Sequence, residues 1–364
     1  MTYIHLKPEG FTATDRVNQS RRLYDSHTFF SSKYFVRRHS RESRCRLFTF
    51  FEVILLDKVF TTVLDSFEKK KFQTNLSLNN IISPNDKLTK ILFNLAHDEY
   101  YDVIQNGIGV AVTETVSRGK KIQTHFKLNG GGIATRKRPF NEYDRAVFDV
   151  CNSARKFGLI GITRDSIFRI LAGGKNNNTR PTAKQVNAII ESVKRLMTTV
   201  EIDFSHTRDK IPKYSSIPAQ LIAPILPCKI LNNVVVNGKL TSLIKFTDES
   251  PLMTIARVKK QLITHPVSLR DIPNQNNTPL VIAIKSYVIR RIYEVKLHKQ
   301  LTPTITFDDI FSHCELQNAN RWQKQDVRKI AIDVLENLKN AAIIQHFELT
   351  KKENSYYAFS VKFN

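Results

Sequence analysis

The sequence contains one pattern of helices and strands twice, first over residues 141–246 and again over 277–363. In each copy a long apolar-striped helix precedes a short helix, a polar turn, a second long helix with a basic outer face, and a β-hairpin. The two basic helices space their apolar residues identically, although the residues themselves differ. These residues are Val186, Ile189, Ile190, Val193 and Met197 in the first copy, and Val327, Ile330, Ala331, Val334 and Leu338 in the second. The shared spacing predicts an internal duplication of structure.

Capping signals mark where the helices of both copies begin. In the first copy, Thr163 is suited to cap the short helix, and Thr182 with Gln185 forms a capping box before the basic helix. In the second copy, Thr278 stands before a proline at the first helical position, and Thr306 stands three residues before Asp309. Each copy therefore carries the same helix starts.

Helix, short helix, basic helix and hairpin is the order of a winged helix, a scaffold that offers one helix to the DNA major groove. In the first copy the β-prone run from Thr199 to Phe204 is expected to start the hairpin, and the Asn237–Gly238 turn is expected to form a second one. The sequence therefore predicts an α+β fold of two tandem winged-helix domains with an uncertain N-terminal extension. The expected divisions are a basic, poorly patterned segment at 1–71, a helix, β-hairpin and basic linker at 72–140, a first winged-helix domain at 141–275, and a second at 276–364.

Composition favours a polyanionic partner. The chain has 56 Lys and Arg against 33 Asp and Glu, a net charge of +23, and the excess is spread over all four divisions. Such a charge favours DNA through counterion release. The four cysteines lie far apart without a zinc-ligand spacing, and the most apolar window, Leu47 to Leu64, is interrupted by charges. We therefore expect a cytoplasmic protein with no metal site and no membrane contact.

Candidate DNA-binding residues lie on the basic helices, in the loop before the first of them and in the last hairpin. Arg, Lys, Asn and Gln are the side chains that read base edges, and basic loops are suited to phosphate contacts. In the first copy the candidates are Lys175, Arg180, Lys184, Asn187, Lys194 and Arg195. In the second copy they are Arg321, Lys324, Gln325, Arg328, Lys329, Lys351 and Lys352, with Trp322 beside them.

The chain lacks the sequence signatures of the enzymes that usually act on DNA. No His-x-His motif occurs among its ten histidines, and no phosphate-binding loop of the form GxxxxGK[ST] is present. Glu201 and Asp203 share a strand face without a third acidic partner nearby in the sequence. We therefore expect a protein without enzymatic activity, catalytic residues or a cofactor.

Three segments of residues 141–363 resemble the tandem winged-helix replication initiators of plasmids, especially those of Gram-positive bacteria and their mobile elements. They are Asn141–Val147 at the start of the first copy, Pro181–Gln185 before its basic helix, and Ser286–Arg291 on the long helix of the second copy. The resemblance implies that one module handles dimerisation and backbone contact, while the C-terminal module reads repeated origin sites. It also implies a homodimer in one state and recruitment of host replication proteins.

Other interpretations of the same features stay open at this point. A transcription regulator could use the same scaffold, and winged helices also serve as modules that bind proteins rather than DNA. Residues 1–71 have no place in the initiator pattern, so they are either an accessory segment or an upstream extension from a misassigned start.

Overall fold

The computed structural model describes ten stretches of the chain, all within one compact unit, Asp65–Asn364. These stretches are residues 78–94, 108–117, 120–129, 140–174, 180–203, 220–236, 238–273, 275–298, 303–352 and 355–363. The N-terminal segment 1–71, most of the basic linker before residue 140, and Lys175 lie outside the described residues. The α+β class is confirmed, because helices and small antiparallel sheets alternate throughout.

Six elements of the first copy follow the repeated pattern, three helices and three strands. In chain order they are α2 (Glu142–Lys156), β4 (Gly161–Thr163), α3 (Arg164–Leu171), α4 (Ala183–Leu196), β7 (Cys228–Val236) and β8 (Lys239–Phe246). The hairpin β7–β8 turns at Gly238, whose φ of 72° is in the left-handed region that glycine tolerates. The short strand β4 pairs antiparallel with β8, which gives the strand order β4-β8-β7.

The second copy repeats this order. Its elements are α6 (Pro279–Leu297), β10 (Thr304–Thr306), α7 (Phe307–His313), α8 (Arg321–Asn340), β11 (His346–Lys352) and β12 (Ser355–Lys362). Again the short strand pairs with the second strand of the hairpin, so the strand order is β10-β12-β11. Two segments with different residues thus form the same arrangement of helices and strands.

The helix starts expected from the sequence are confirmed. Thr182 and Gln185 form a reciprocal capping box at the start of α4, and Thr306 and Asp309 form another before α7. The Thr163 and Thr278 hydroxyls accept backbone N–H bonds at the starts of α3 and α6. These local signals depend only on residues within one helical turn, which is why the sequence reveals them.

A separate sheet interrupts the first copy, and here one expectation is wrong. The run that begins at Thr199 was expected to start the hairpin after the basic helix, but it forms β5 (Thr199–Asp203) in another sheet. That sheet has the order β2-β3-β5-β6, with β2 (Ile108–Ser117), β3 (Lys120–Asn129) and β6 (Gln220–Pro224). The expected hairpin between β2 and β3 is confirmed. Because β3 precedes α2 and β5 follows α4, this sheet joins residues on both sides of position 140.

The remaining elements pack beside α2 and α6. They are β1 (Asn80–Pro84), α1 (Lys87–Asn94), α5 (Pro251–Val258), β9 (Leu262–Pro266) and a 3-10 turn at Val267–Arg270. Strands β1 and β9 form a two-stranded antiparallel sheet. Gly173, just after α3, lies so close to the backbone of Asp271 that a Cβ atom there would collide with it.

Two hydrophobic cores fill the described part of the chain, and α6 contributes to both. Ile282 and Ala283 belong to the core around α2, while Tyr287 and Val288 belong to the core around α8. Every residue from Ile282 to Ile289 is buried. The long helix of the second copy is therefore also a packing element of the first.

Candidate nucleic-acid interface

The start of α8 is fixed by a capping box at Asn320. The Gln323 N–H donates to Asn320 Oδ1 at 2.9 Å, and the Asn320 N–H donates to Gln323 Oε1 at 3.1 Å. Two backbone donors that a helix start leaves unpaired are thereby satisfied. The first turn of the helix, and the side chains it carries, is held in place before any ligand arrives.

The outer face of α8 presents a short stripe of exposed side chains. Its inner face packs into the second core through Val327, Ala331, Val334, Leu335 and Leu338. Opposite these, Trp322, Gln325 and Lys329 follow one another at intervals of three and four residues and are all exposed. Arg321 is exposed at the edge of the same stripe. An aromatic ring, an amide and a cation therefore share one side of the first two to three turns.

Two basic residues of α8 bind other parts of the module. The Lys324 ammonium donates to the carbonyl oxygen of Gln317 at 2.8 Å, which holds the turn before the helix. The Arg328 Nε donates to the carbonyl oxygen of Tyr356 in β12 at 2.9 Å, and its guanidinium lies 5.1 Å from the ring centre of Phe311. The expectation that Arg328 points outward is wrong, because the hairpin and the short helix α7 offer it an acceptor and an aromatic face.

The hairpin β11–β12 carries exposed cations near its tip. Lys351 and Lys352 end strand β11 and are both exposed. The Lys351 ammonium lies 5.2 Å from the ring centre of Tyr356 across the hairpin, where the strand register shifts after Thr350. The neighbouring Tyr357 is 44% exposed. These side chains can contact phosphates, which would position DNA without reading its sequence.

The basic helix of the first copy exposes a smaller set of candidates. Lys184 and Asn187 are exposed on the outer face of α4, and Arg180 is exposed before it. Lys194 is also exposed but forms an ion pair with Glu191 at 2.8 Å. An exposed pair of this kind is weak, so Lys194 can exchange Glu191 for a phosphate at little cost.

Arg195 differs from its neighbour, and its expected outward orientation is wrong. Its Nε donates to Asp144 Oδ2 at 2.9 Å, and its side chain is 15% exposed. Asp144 is fully buried and also serves in the capping box that Asn141 forms at the start of α2. Arg195 therefore joins α4 to α2, because a buried carboxylate needs a partner.

The two copies are joined by a buried ion pair. Arg290 of α6 donates two parallel hydrogen bonds to the carboxylate of Glu142 in α2, at 2.6 and 2.8 Å. Burial alone would lower the pKa of Arg290, but the adjacent Glu142 carboxylate raises the pKa above its ordinary value. Arg290 is therefore charged at every physiological pH, and the pair fixes α6 against α2.

A second buried network lies beside this pair on the same side of α2, because Glu142, Arg145 and Asp149 have the spacing of one helix face. Arg145 pairs with Asp149 at 3.2 Å, and the Ser83 hydroxyl donates to the same carboxyl group at 2.6 Å. Arg145 also donates to the carbonyl oxygen of Pro84. Burial lowers the pKa of Arg145 and raises that of Asp149. These groups are inside the protein, so they hold β1 against α2 and are not part of a DNA-binding surface.

The two basic helices expose similar numbers of charges. The first half of α8 exposes two cations, Arg321 and Lys329, and one acidic residue, Asp326, because Lys324 and Arg328 bind groups within the module. The outer face of α4 combines two exposed lysines with Glu191. The first half of α8 differs by the exposed ring of Trp322, which lies beside its amide and its cations.

The sequence pattern did not identify Trp322 as a candidate DNA-binding residue. We placed it beside the candidate residues, but the structure puts its ring, 77% exposed, on the same stripe as Gln325 and Lys329. The signal was present in the sequence, since residues 322, 325 and 329 have the spacing of one helix face. No pattern in the sequence indicated that Lys324, Arg328 and Arg195 bind other groups of the protein.

Within the described stretches, no group of three His, Cys, Asp or Glu side chains is placed to hold a metal ion. The helices of these stretches also include none with the length and apolar character needed to cross a bilayer.

Comparison with known proteins gives one distant structural neighbour. No protein-family model and no curated protein matches this chain. The solved structure of domains 2 and 3 of RctB is similar to this chain. The similarity covers 70% of this chain and 91% of the RctB chain, with 8% sequence identity and a TM-score of 0.32. A likeness this weak carries no argument about function.

Proposed function

We propose that this chain is a sequence-specific DNA-binding replication initiator without enzymatic activity, built from two winged-helix modules. The observation that supports DNA binding most directly is the outer stripe of α8, where Trp322, Gln325 and Lys329 share one exposed face. Amide and cationic side chains on a helix are suited to base edges in the major groove. The exposed Lys351 and Lys352 of the following hairpin are suited to the flanking phosphates.

The winged-helix assignment rests on topology. In each copy a short strand pairs with the second strand of the hairpin, and three helices precede the hairpin in the same order. The second copy combines the exposed ring of Trp322 with the exposed hairpin cations Lys351 and Lys352, so we assign base reading to α8. The first copy adds contacts that are mainly to the DNA backbone, through Arg180, Lys184, Asn187 and Lys194. Lys175, which lies outside the described residues, is added to these contacts on the sequence alone.

The initiator role is the finer part of the proposal. Two modules in one chain favour binding to repeated sites, as at the origin of a plasmid or mobile element, where a homodimer in one state and host replication proteins would be partners. The sequence resemblance to plasmid initiators supports this reading. A one-site transcription regulator and a protein-binding module are the alternatives, and in each case the chain would act in the cytoplasm.

DNA binding is tested by a gel shift of the full chain on the DNA that flanks its gene, at low and moderate salt. We expect binding to direct repeats spaced by one or two helical turns, with an affinity that falls steeply as salt rises. Gln325→Ala should reduce binding, whereas Lys339→Ala, an exposed lysine at the far end of α8, is the matched control. Absence of binding at low salt would refute the DNA-binding proposal.

The initiator and regulator readings are separated by a replication assay. A plasmid that carries only the flanking repeats and a selectable marker should be maintained when the chain is supplied in trans. If the repeats are bound but the plasmid is lost while transcription of a neighbouring promoter changes, the regulator reading is correct.

A further inference from the structure

Trp322 is the most exposed large apolar side chain in the described part of the protein. Its exposed fraction is 77%, and it is the single tryptophan of the chain. Isolated exposed apolar residues are common on protein surfaces, so exposure alone indicates nothing. Its position on α8 is more informative.

The indole ring lies on the stripe that the proposed function assigns to base reading. Gln325 is one turn further along the helix and Lys329 two turns further, on the same face. The helix start is fixed by the Asn320 capping box, and its opposite face is packed in the core. The stripe therefore approaches a ligand as a unit, and contact of Gln325 and Lys329 with base edges brings the indole ring to the floor of the groove.

The chemistry of the major groove leaves few partners for that ring. Base edges there present hydrogen-bond donors, acceptors and one apolar group, the 5-methyl of thymine. The indole offers a broad apolar surface and a single N–H donor. Resting on the proposed function, we propose that Trp322 is a specificity-determining residue that packs against the 5-methyl group of a thymine in the bound duplex.

Stacking on an unpaired base is the competing use of an exposed aromatic ring. It requires the base to leave the duplex. The neighbours of Trp322 on its stripe are an amide and an ammonium group, which suit the edges of paired bases. The stripe as a whole therefore favours the duplex groove.

The proposal is tested by removing single methyl groups from the DNA. A duplex is first selected from a random-sequence library by repeated binding to the full chain, and each thymine is then replaced in turn by deoxyuridine. At one or two positions we expect affinity to fall about fourfold, the equivalent of ~0.8 kcal/mol for one buried methyl group. Trp322→Ala should bind the thymine duplex more weakly and lose this sensitivity at the same positions. Trp322→Phe, which keeps an apolar ring, should retain part of it.

Fluorescence gives an independent readout on the unmodified protein. Because Trp322 is the single tryptophan, its emission should shift to shorter wavelength or be quenched when the selected duplex binds. Anisotropy of labelled duplex records binding in the same titration.

The outcomes separate this proposal from the proposed function. Duplex binding with unchanged Trp322 emission would overturn the thymine contact while DNA binding stands, and so would a Trp322→Ala variant that stays equally sensitive to deoxyuridine. An emission change that only single-stranded DNA produces would also overturn it, in favour of stacking. If the library yields no duplex at low salt, the proposed function fails and the thymine contact fails with it.

Discussion

Lys194 and Arg195 are neighbours in sequence, yet the structure gives them opposite environments. Lys194 is exposed beside Glu191, whereas Arg195 reaches the buried Asp144. Asp144 lies 51 residues earlier, so a helical wheel drawn from the sequence of α4 cannot reveal it. A cation on a helix face can therefore contribute to a binding surface only if it is not already paired with a buried carboxylate of another element.

Substitution of these two residues should affect different properties. Arg195→Ala leaves a buried carboxylate without its charged donor, so we expect the free energy of unfolding to fall by about 1.5–3 kcal/mol. Lys194→Ala removes only an exposed pair, so its effect should stay below about 1 kcal/mol. Urea denaturation followed by circular dichroism measures both. Similar losses in the two variants would contradict the assignment of Arg195 to the interior.

His265 predicts an acid sensitivity of the fold. It is buried beside Arg270, and burial followed by the nearby positive charge lowers its pKa from 6.5 to about 3. The folded protein therefore holds the imidazole neutral, while the unfolded chain takes up a proton as the pH falls below 6.5. The stability that His265 contributes is present above that pH and is lost below it.

The expected size of this loss is about 2 kcal/mol between pH 6.5 and pH 5. His265→Gln should remove it, so the pH profile of its unfolding free energy should be flatter over that range, whatever its absolute stability. His346→Gln, which replaces an exposed histidine in the same way, is the matched control. Identical slopes for wild type and His265→Gln would count against a neutral buried imidazole.

At the scale of elements, the sequence predicted best whatever is encoded within one helical turn. The caps at Thr182 and Thr163, the hairpin β7–β8 and the doubled helix order all follow from local residues. Strand β5 was assigned to the wrong sheet because its partner β3 lies some 75 residues earlier. The residues of β5 alone do not determine which strand it pairs with. Of the candidate interface, exposure was predicted for most residues, but the internal roles of Arg195 and Arg328 were not.

The outer face of α8 and the hairpin after it should contribute differently to DNA binding. Lys329→Ala removes a group suited to a base edge, so we expect about 1–3 kcal/mol less discrimination between a selected duplex and a scrambled one. Lys351→Ala removes a phosphate contact, so both duplexes should weaken alike and the salt slope should fall by about one unit. Binding isotherms at several salt concentrations measure both effects. Equal loss of preference in the two variants would contradict the division of roles.

At the scale of the whole molecule, α6 holds the two copies together. It supplies apolar residues to both cores, and its Arg290 forms two hydrogen bonds with Glu142 of α2. Lys90 of α1 adds an ion pair to Glu294 of α6 at 3.4 Å. The pKa of Glu294 is lowered despite its burial because Arg290 and Lys90 face it. The orientation of one module relative to the other is thus set by packing and buried charge.

Removal of Arg290 should be far more harmful than removal of a surface arginine. Arg290→Met leaves Glu142, whose side chain is 2% exposed, without its partner, and we expect a loss of about 3–5 kcal/mol in unfolding free energy. The double variant Glu142→Gln with Arg290→Met should recover much of that loss, since no buried charge then lacks a partner. Arg257→Met, which breaks a more exposed pair with Glu249, is the control and should cost at most about 1 kcal/mol. Failure of the double variant to recover would mean that Arg290 acts through packing rather than charge.

The sheet β2-β3-β5-β6 has a consequence for cutting the chain into parts. In the intact protein, β5 lies between β3 and β6 and has hydrogen-bonded neighbours on both sides. A fragment that begins at residue 141 would lack β3, and β5 would become an open edge able to pair with the β5 of another copy. Such a fragment is expected to self-associate for a reason unrelated to any natural dimer. The smallest faithful fragment of the first module therefore begins before Leu78, so that it keeps β3 beside β5 and also keeps β1 against α2.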